Sequence, residues 1–74
     1  MRTGYLIEDG FFYFICDSES HELVERVVDE GYEVSEFYHL LDGSYRIAVR
    51  LPCFGKKQAM KKLIEIVREV NSEH

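Results

Sequence analysis

Hydrophobic and polar positions follow two different periods along the chain, and these periods predict six elements. Apolar runs or strict alternation predict strands over residues 5–8, 11–16, 32–40 and 44–51. Apolar residues three and four apart predict a short helix between the Asp17-Ser18 cap and Gly31, and a long helix from after Gly55 to about Asn71. The predicted order is ββαββα.

Asp-Gly pairs at positions 9–10 and 42–43 each separate two strand-forming runs, which predicts two hairpins with type I′ turns. A two-residue loop at 42–43 sets the register of the second hairpin. It places Leu40 opposite Tyr45 and Tyr38 opposite Ile47, with the apolar side chains of both strands facing the helices.

That register places Glu36 opposite Val49 on the apolar face, where an unpaired carboxylate is costly. Three interpretations remain open. A β-bulge near residues 35–37 turns Glu36 outward, the side chain reaches water at the sheet edge, or it is a functional buried acid. The first two are favoured because the third strand is expected to lie at an edge.

A right-handed crossover between the second and third strands predicts an antiparallel sheet in the order first, second, fourth, third, with both helices on one face. This two-layer α+β arrangement resembles a ferredoxin-like sandwich whose last strand has moved to the N-terminus. Residues 1–74 are expected to form one domain. The same order places Cys16 and Cys53 at opposite ends of the sheet, so we predict no disulfide and two buried thiols.

The candidate chemistry is sparse. A thiol, hydroxyls and a histidine lie together over residues 16–21, but the surrounding acids disfavour a thiolate, so capping and a buried cysteine explain this segment better than catalysis. We found neither a phosphate-binding loop nor a compact set of metal ligands. We therefore predict no enzyme activity, cofactor or metal. Lys56 and Lys57 at the start of the second helix form a possible anion site or simply a solvated basic turn.

The net charge of −5 is unevenly distributed. Residues 1–42 carry eleven acidic and two basic side chains, whereas residues 43–74 carry three acidic and seven basic ones. Two interpretations are open: the oppositely charged helices attract each other within the molecule, or the acidic helix meets a basic partner. The expected partner-binding residues are Glu22, Glu25, Asp29 and Glu30.

Helices on one face leave the other face of the sheet uncovered, and the second strand is apolar at every position. Exposed apolar patches usually mark interfaces, so a homodimer joined sheet to sheet is expected. The expected self-association residues are Phe12, Phe14, Phe37, His39, Arg46 and Arg50. Aromatic and arginine side chains on a sheet also suit RNA, but the acidic first half repels phosphate and so argues against nucleic acid as a partner.

The leading hypothesis is a non-enzymatic interaction or regulatory module that self-associates and presents an acidic helix. RNA binding and a small-molecule-sensing regulatory domain are the alternatives. With no apolar run of membrane-spanning length and no export signal, a cytoplasmic protein without membrane contact is expected. Ten glutamates against one asparagine and one glutamine are a weak mark of a thermophile.

Overall fold

The computed structural model describes residues 2–73, which form four strands and two helices in the predicted order. The elements are β1 (Thr3–Glu8), β2 (Phe11–Cys16), α1 (His21–Asp29), β3 (Glu33–His39), β4 (Tyr45–Arg50) and α2 (Lys56–Ser72). The sheet is antiparallel in the order β1-β2-β4-β3. The predicted α+β topology and strand order are therefore confirmed.

The hydrophobic core lies between the two helices and one face of the sheet, which we call the helix side. Burial alternates along β2, so that every second residue faces the helices. Removing one such side chain from water stabilises the fold by about 1.5–3 kcal/mol. The core residues are Phe12, Phe14, Cys16, Leu23, Val27, Ile47, Val49, Leu51, Ala59, Leu63, Ile66, Val67 and Val70.

The first hairpin has the predicted type I′ turn. Asp9 and Gly10 both have positive φ, at 50° and 81°, and Glu8 lies opposite Phe11. This turn matches the right-handed twist of the two strands that it joins. The first Asp-Gly prediction is confirmed.

The second hairpin has a different turn, so the predicted type I′ turn and register are wrong. The N–H of Gly43 donates to the carbonyl of Leu40 (3.0 Å), and Gly43 alone in this loop has positive φ, at 89°. This is a type I turn followed by a left-handed residue, which adds one residue to the loop. Asp42 favours it, because its carboxylate accepts hydrogen bonds from the N–H (2.9 Å) and the hydroxyl (2.6 Å) of Ser44.

The longer loop shifts the register by one residue, which exchanges the two faces of β3 next to the turn. His39 lies opposite Tyr45 and Phe37 opposite Ile47, so both point to the helix side instead of the uncovered face. A β-bulge between Val34 and Glu36 interrupts the ladder. The predicted bulge is therefore present, but the ladder from Glu36 to His39 is regular, so it is the longer loop that places Glu36 on the uncovered face, where it is exposed.

The predicted N-cap of α1 is wrong by two residues. The cap is Ser20, whose hydroxyl accepts from the N–H of Leu23 (3.2 Å). Asp17 instead accepts from the N–H of Arg2 (3.1 Å) and so ties the end of β2 to the start of β1. At the other end, the N–H of Tyr32 donates to the carbonyl of Val27 (3.2 Å) in a Schellman motif that contains Gly31.

Candidate functional site

An open groove lies between the start of α1 and the helix side of β3 and β4. It has a volume of about 580 Å³, within the range of small-molecule and peptide pockets. We call it the α1 groove. It is lined by Ser18, Glu19, Ser20, His21, Val24, Glu25, Phe37, Tyr38, His39, Tyr45 and Ile47.

Aromatic side chains form the floor of the α1 groove. The rings of His39 and Tyr45 stack with centroids 4.4 Å apart and planes at 2° to each other. Phe37 is 59% exposed, although it points to the same side of the sheet as the core. An aromatic ring left this open to water favours a ligand that covers it.

Carboxylates form the rim of the α1 groove. Glu19, just before α1, and Glu25, within α1, line one wall of the groove, and both are exposed. The imidazole of His21 lies 4.0 Å from the carboxylate of Glu19. The groove therefore combines an aromatic floor with a wall that carries acidic side chains.

The four acidic residues expected on α1 have different surroundings. Glu22 pairs with Arg26 (2.9 Å), and Glu30 lies 3.8 Å from Lys62 of α2. Among residues 2–73, Glu25 and Asp29 have no ion-pair partner. Because Glu25 also lines the groove, it is the best placed of the four for a basic partner.

Arg26 joins the two helices. Its guanidinium donates to Glu22 (2.9 Å), to Glu69 (3.0 Å) and to Glu73. Its bond with Glu73 is the largest cause of its raised pKa, and the bond with Glu22 adds to it. The helices therefore attract each other through two kinds of ion pair. Glu30 and Lys62 pair an acid after α1 with a base of α2, as the charge pattern predicts. Arg26 does the opposite, because it is a base of α1 that pairs with an acid of α2, Glu69.

The uncovered face of the sheet, which we call the open face, differs from the sequence expectation. Phe12 and Phe14 are fully buried under the helices, so their placement on the uncovered surface is wrong. Phe37 and His39 lie on the helix side, as described above. Arg46 and Arg50 do lie on the open face, beside three half-buried residues of β2, Phe11, Tyr13 and Ile15.

Side chains on the open face cover one another. The guanidinium of Arg50 lies over the ring of Phe11 at 5.5 Å from its centroid. Ala48, between the two arginines, is only 3% exposed. Glu8, Glu33 and Glu36 also point to this face. These carboxylates balance the arginines and weaken any attraction to phosphate.

The two cysteines are free thiols in different environments. Cys16 is buried, where Thr3 donates a long bond to its sulfur (3.8 Å). Burial raises the pKa of the Cys16 thiol and the nearby Asp17 raises it further, so it is protonated and unsuited to attack a substrate. Cys53 is exposed, so its predicted burial is wrong.

The remaining polar candidates lie apart from the α1 groove. Lys56 and Lys57 are exposed in the first turn of α2, after the N-cap Gly55. The anion site there stays a prediction. Among residues 2–73, no three histidine, cysteine or acidic side chains lie close enough to hold a metal ion. Neither described helix is long and apolar enough to cross a membrane.

The sequence did not predict the α1 groove, because the expected pairing of β3 with β4 was wrong by one residue. The signal was Ser44 directly after Asp42-Gly43, since a serine there can donate back to the aspartate and favour the longer loop. That loop moves Phe37 and His39 to the groove and Tyr38 to the open face.

Comparisons with known proteins found no relative. No protein-family model matches the chain, and searches of the curated proteins and the solved structures gave no match either.

Proposed function

We propose that this protein is a non-enzymatic interaction module whose α1 groove binds a basic, apolar segment of a partner protein. The supporting observation is the exposed ring of Phe37 beside a wall that carries Glu25, an acid without an ion-pair partner among residues 2–73. An aromatic or aliphatic side chain of the partner covers the floor, and its neighbouring lysine or arginine meets the wall.

The size and openness of the groove favour a short segment over a folded surface. A cleft of about 580 Å³ accommodates two or three side chains. Contact with Phe37 supplies most of the binding free energy, because aromatic anchors usually dominate such sites. The carboxylates increase the association rate and select against acidic segments.

The test is an NMR titration with two blocked synthetic peptides that alternate Leu and Phe with either Lys or Glu. The basic peptide is expected to shift the amide signals of Val24 and of residues 37–39. The acidic peptide is expected to bind at least about tenfold more weakly, which corresponds to about 1.4 kcal/mol. Equal binding of both peptides, or shifts confined to the open face, would contradict the proposal.

Two charge reversals on α1 provide a matched pair. Glu25→Lys places a positive charge in the groove wall, whereas Asp29→Lys makes the same charge change outside the groove. We expect Glu25→Lys to weaken the basic peptide about tenfold and Asp29→Lys to change its affinity by less than about threefold. Equal effects of the two substitutions would mean that the affinity for the basic peptide depends only on the net charge of the protein.

A further inference from the structure

The two edges of the sheet are protected to different degrees. β3 at one edge carries a β-bulge and two exposed glutamates, Glu33 and Glu36. Natural proteins use both devices to prevent pairing with another chain. β1 at the other edge pairs regularly with β2 over all six of its residues. It contains no proline, and its central residues Tyr5, Leu6 and Ile7 are 45%, 40% and 39% exposed.

The geometry of the first hairpin determines which backbone N–H and C=O groups of β1 point away from β2. A two-residue loop is closed by a hydrogen-bonded pair, here Glu8 and Phe11. The even-numbered residues of β1 therefore bond to β2, and the odd-numbered ones point their N–H and C=O groups outward. Two observations agree: the carbonyl of Arg2 accepts from the N–H of Asp17 in β2's extension, and the backbone of Thr3 bonds outward to Asn71.

Asn71 of α2 occupies the outward groups of Thr3. Its side-chain oxygen accepts from the Thr3 N–H (2.8 Å), and its side-chain nitrogen donates to the Thr3 carbonyl (2.8 Å). The amide thus takes the place of a neighbouring strand at this one residue. Among residues 2–73, the outward N–H and C=O groups of Tyr5 and Ile7 have no such partner.

We propose that β1 pairs antiparallel with β1 of a second copy of this chain, about a two-fold axis at Leu6. In this register Tyr5 of each copy lies opposite Ile7 of the other, and their outward groups form four backbone hydrogen bonds. The two sheets become one continuous eight-stranded sheet, with all four helices on the same side.

Self-pairing is favoured over another strand because the edge is complementary to itself. The two residues with free outward groups are placed symmetrically about Leu6, so one rotation satisfies both. Centring the pair on Tyr5 instead would need the outward groups of Thr3, which Asn71 already occupies. Asn71 therefore excludes that register.

Charge and side-chain size on the open face agree with this register. Glu8 of one copy lies opposite Gly4 of the other, and Arg2 is the diagonal neighbour of that glutamate, within reach of a long side chain. No atom lies within 4 Å of where a Gly4 side chain would begin, so the carboxylate has room. Each dimer then carries two Arg2–Glu8 pairs.

The first experiment is light scattering at millimolar concentration on the wild type, Leu6→Lys and Phe37→Lys. The wild type is expected at twice the 8.7 kDa of one chain. Leu6→Lys places two like charges opposite each other at the axis and is expected to be monomeric, whereas Phe37→Lys makes the same kind of change at the other edge and leaves the dimer intact. Circular dichroism checks that both variants fold.

A cross-link tests the register. In a Cys53→Ser background, Leu6→Cys places two thiols on residues that directly face each other in a non-hydrogen-bonded pair, about 4.5 Å apart at Cα, which permits a disulfide. Leu41→Cys, at a fully exposed loop position, measures random collision. We expect Leu6→Cys to form the disulfide dimer at least about tenfold faster.

Three results would overturn the proposal. These are a wild-type monomer at millimolar concentration, a dimer that Phe37→Lys splits and Leu6→Lys leaves intact, and cross-linking of Leu6→Cys no faster than that of Leu41→Cys. Peptide binding by the α1 groove does not depend on this interface, because Leu6 and the groove lie on different strands and opposite faces of the sheet. The two proposals therefore fail independently.

Discussion

Asn71 shows how one side chain can fix the first residue of a strand that is distant in sequence. It is the only asparagine in the chain, and it is bonded through both amide atoms to Thr3, 68 positions away. These bonds attach the C-terminal end of α2 to the edge strand. The α2 helix thus holds β1 by direct bonding as well as by apolar packing.

Asn71→Ala is expected to destabilise the fold by about 1–3 kcal/mol, because it removes two part-buried hydrogen bonds and leaves the Thr3 groups to solvent. Asn71→Asp keeps the acceptor for the Thr3 N–H and loses the donor, so an intermediate loss is expected. Urea denaturation measures both. Ser72→Ala is the control, since it removes an exposed bond to the Glu69 carbonyl and is expected to cost less than about 0.5 kcal/mol. Equal losses for Asn71→Ala and Ser72→Ala would mean that the Thr3 contact contributes nothing.

At the scale of elements, the β3–β4 loop has the largest effect on the surface. Two hydrogen bonds from Ser44 to Asp42 favour a loop that is one residue longer than a type I′ turn. The extra residue moves Phe37 and His39 from the open face to the α1 groove. A local polar contact therefore determines which aromatic side chains are available to a partner.

The same contact gives the loop a pH dependence. Hydrogen bonds from Ser44 lower the pKa of Asp42 below its ordinary value of 3.8. The ionised carboxylate therefore stabilises the folded state above about pH 4, and this contribution is lost as the pH falls through the lowered pKa.

Asp42→Ala is expected to lower the Tm at pH 7, and the difference from wild type is expected to shrink as the pH falls below about 4 and the carboxylate becomes protonated. Asp42→Asn retains an acceptor for the Ser44 N–H, so a smaller decrease at pH 7 is expected, and it also shrinks in acid because only the wild type loses a charge there. Thermal denaturation across this range measures both variants. A Tm difference between Asp42→Ala and wild type that does not shrink as the pH falls below about 4 would show that the charge is not involved.

For the whole molecule, the position of the core determines which aromatic residues stabilise the fold and which are available for binding. Phe12 and Phe14 are adjacent along the helix side, with ring centroids 4.9 Å apart, and both are fully buried. Phe37 lies on the same side beyond the cover of the helices. A domain this small has little stability to spare, typically about 5–15 kcal/mol, so the two kinds of position respond differently to truncation.

Phe14→Ala is expected to cost about 3–5 kcal/mol, because it leaves a cavity in the centre of the core. Phe37→Ala is expected to change the free energy of unfolding by less than about 0.5 kcal/mol and to abolish binding of the basic peptide. Chemical denaturation and the NMR titration separate the two effects. A large loss of stability for Phe37→Ala would indicate that this ring is structural and would weaken the groove proposal.

The sequence alone determined the six elements, the first hairpin and the strand order. The elements and the hairpin depend on local periodicity and turn residues, which can be recognised in short stretches of sequence. The strand order depends on the general right-handedness of crossovers such as the one between β2 and β3. The sequence did not determine the register of β3, the N-cap of α1, the exposure of Cys53 or the contact between Thr3 and Asn71. At each of these places the local sequence permits more than one arrangement, as Ser18 and Ser20 could each cap α1. Only tertiary packing determines which arrangement forms. The α1 groove and the β1 edge belong to this second group, because each consists of residues brought together by the folded chain.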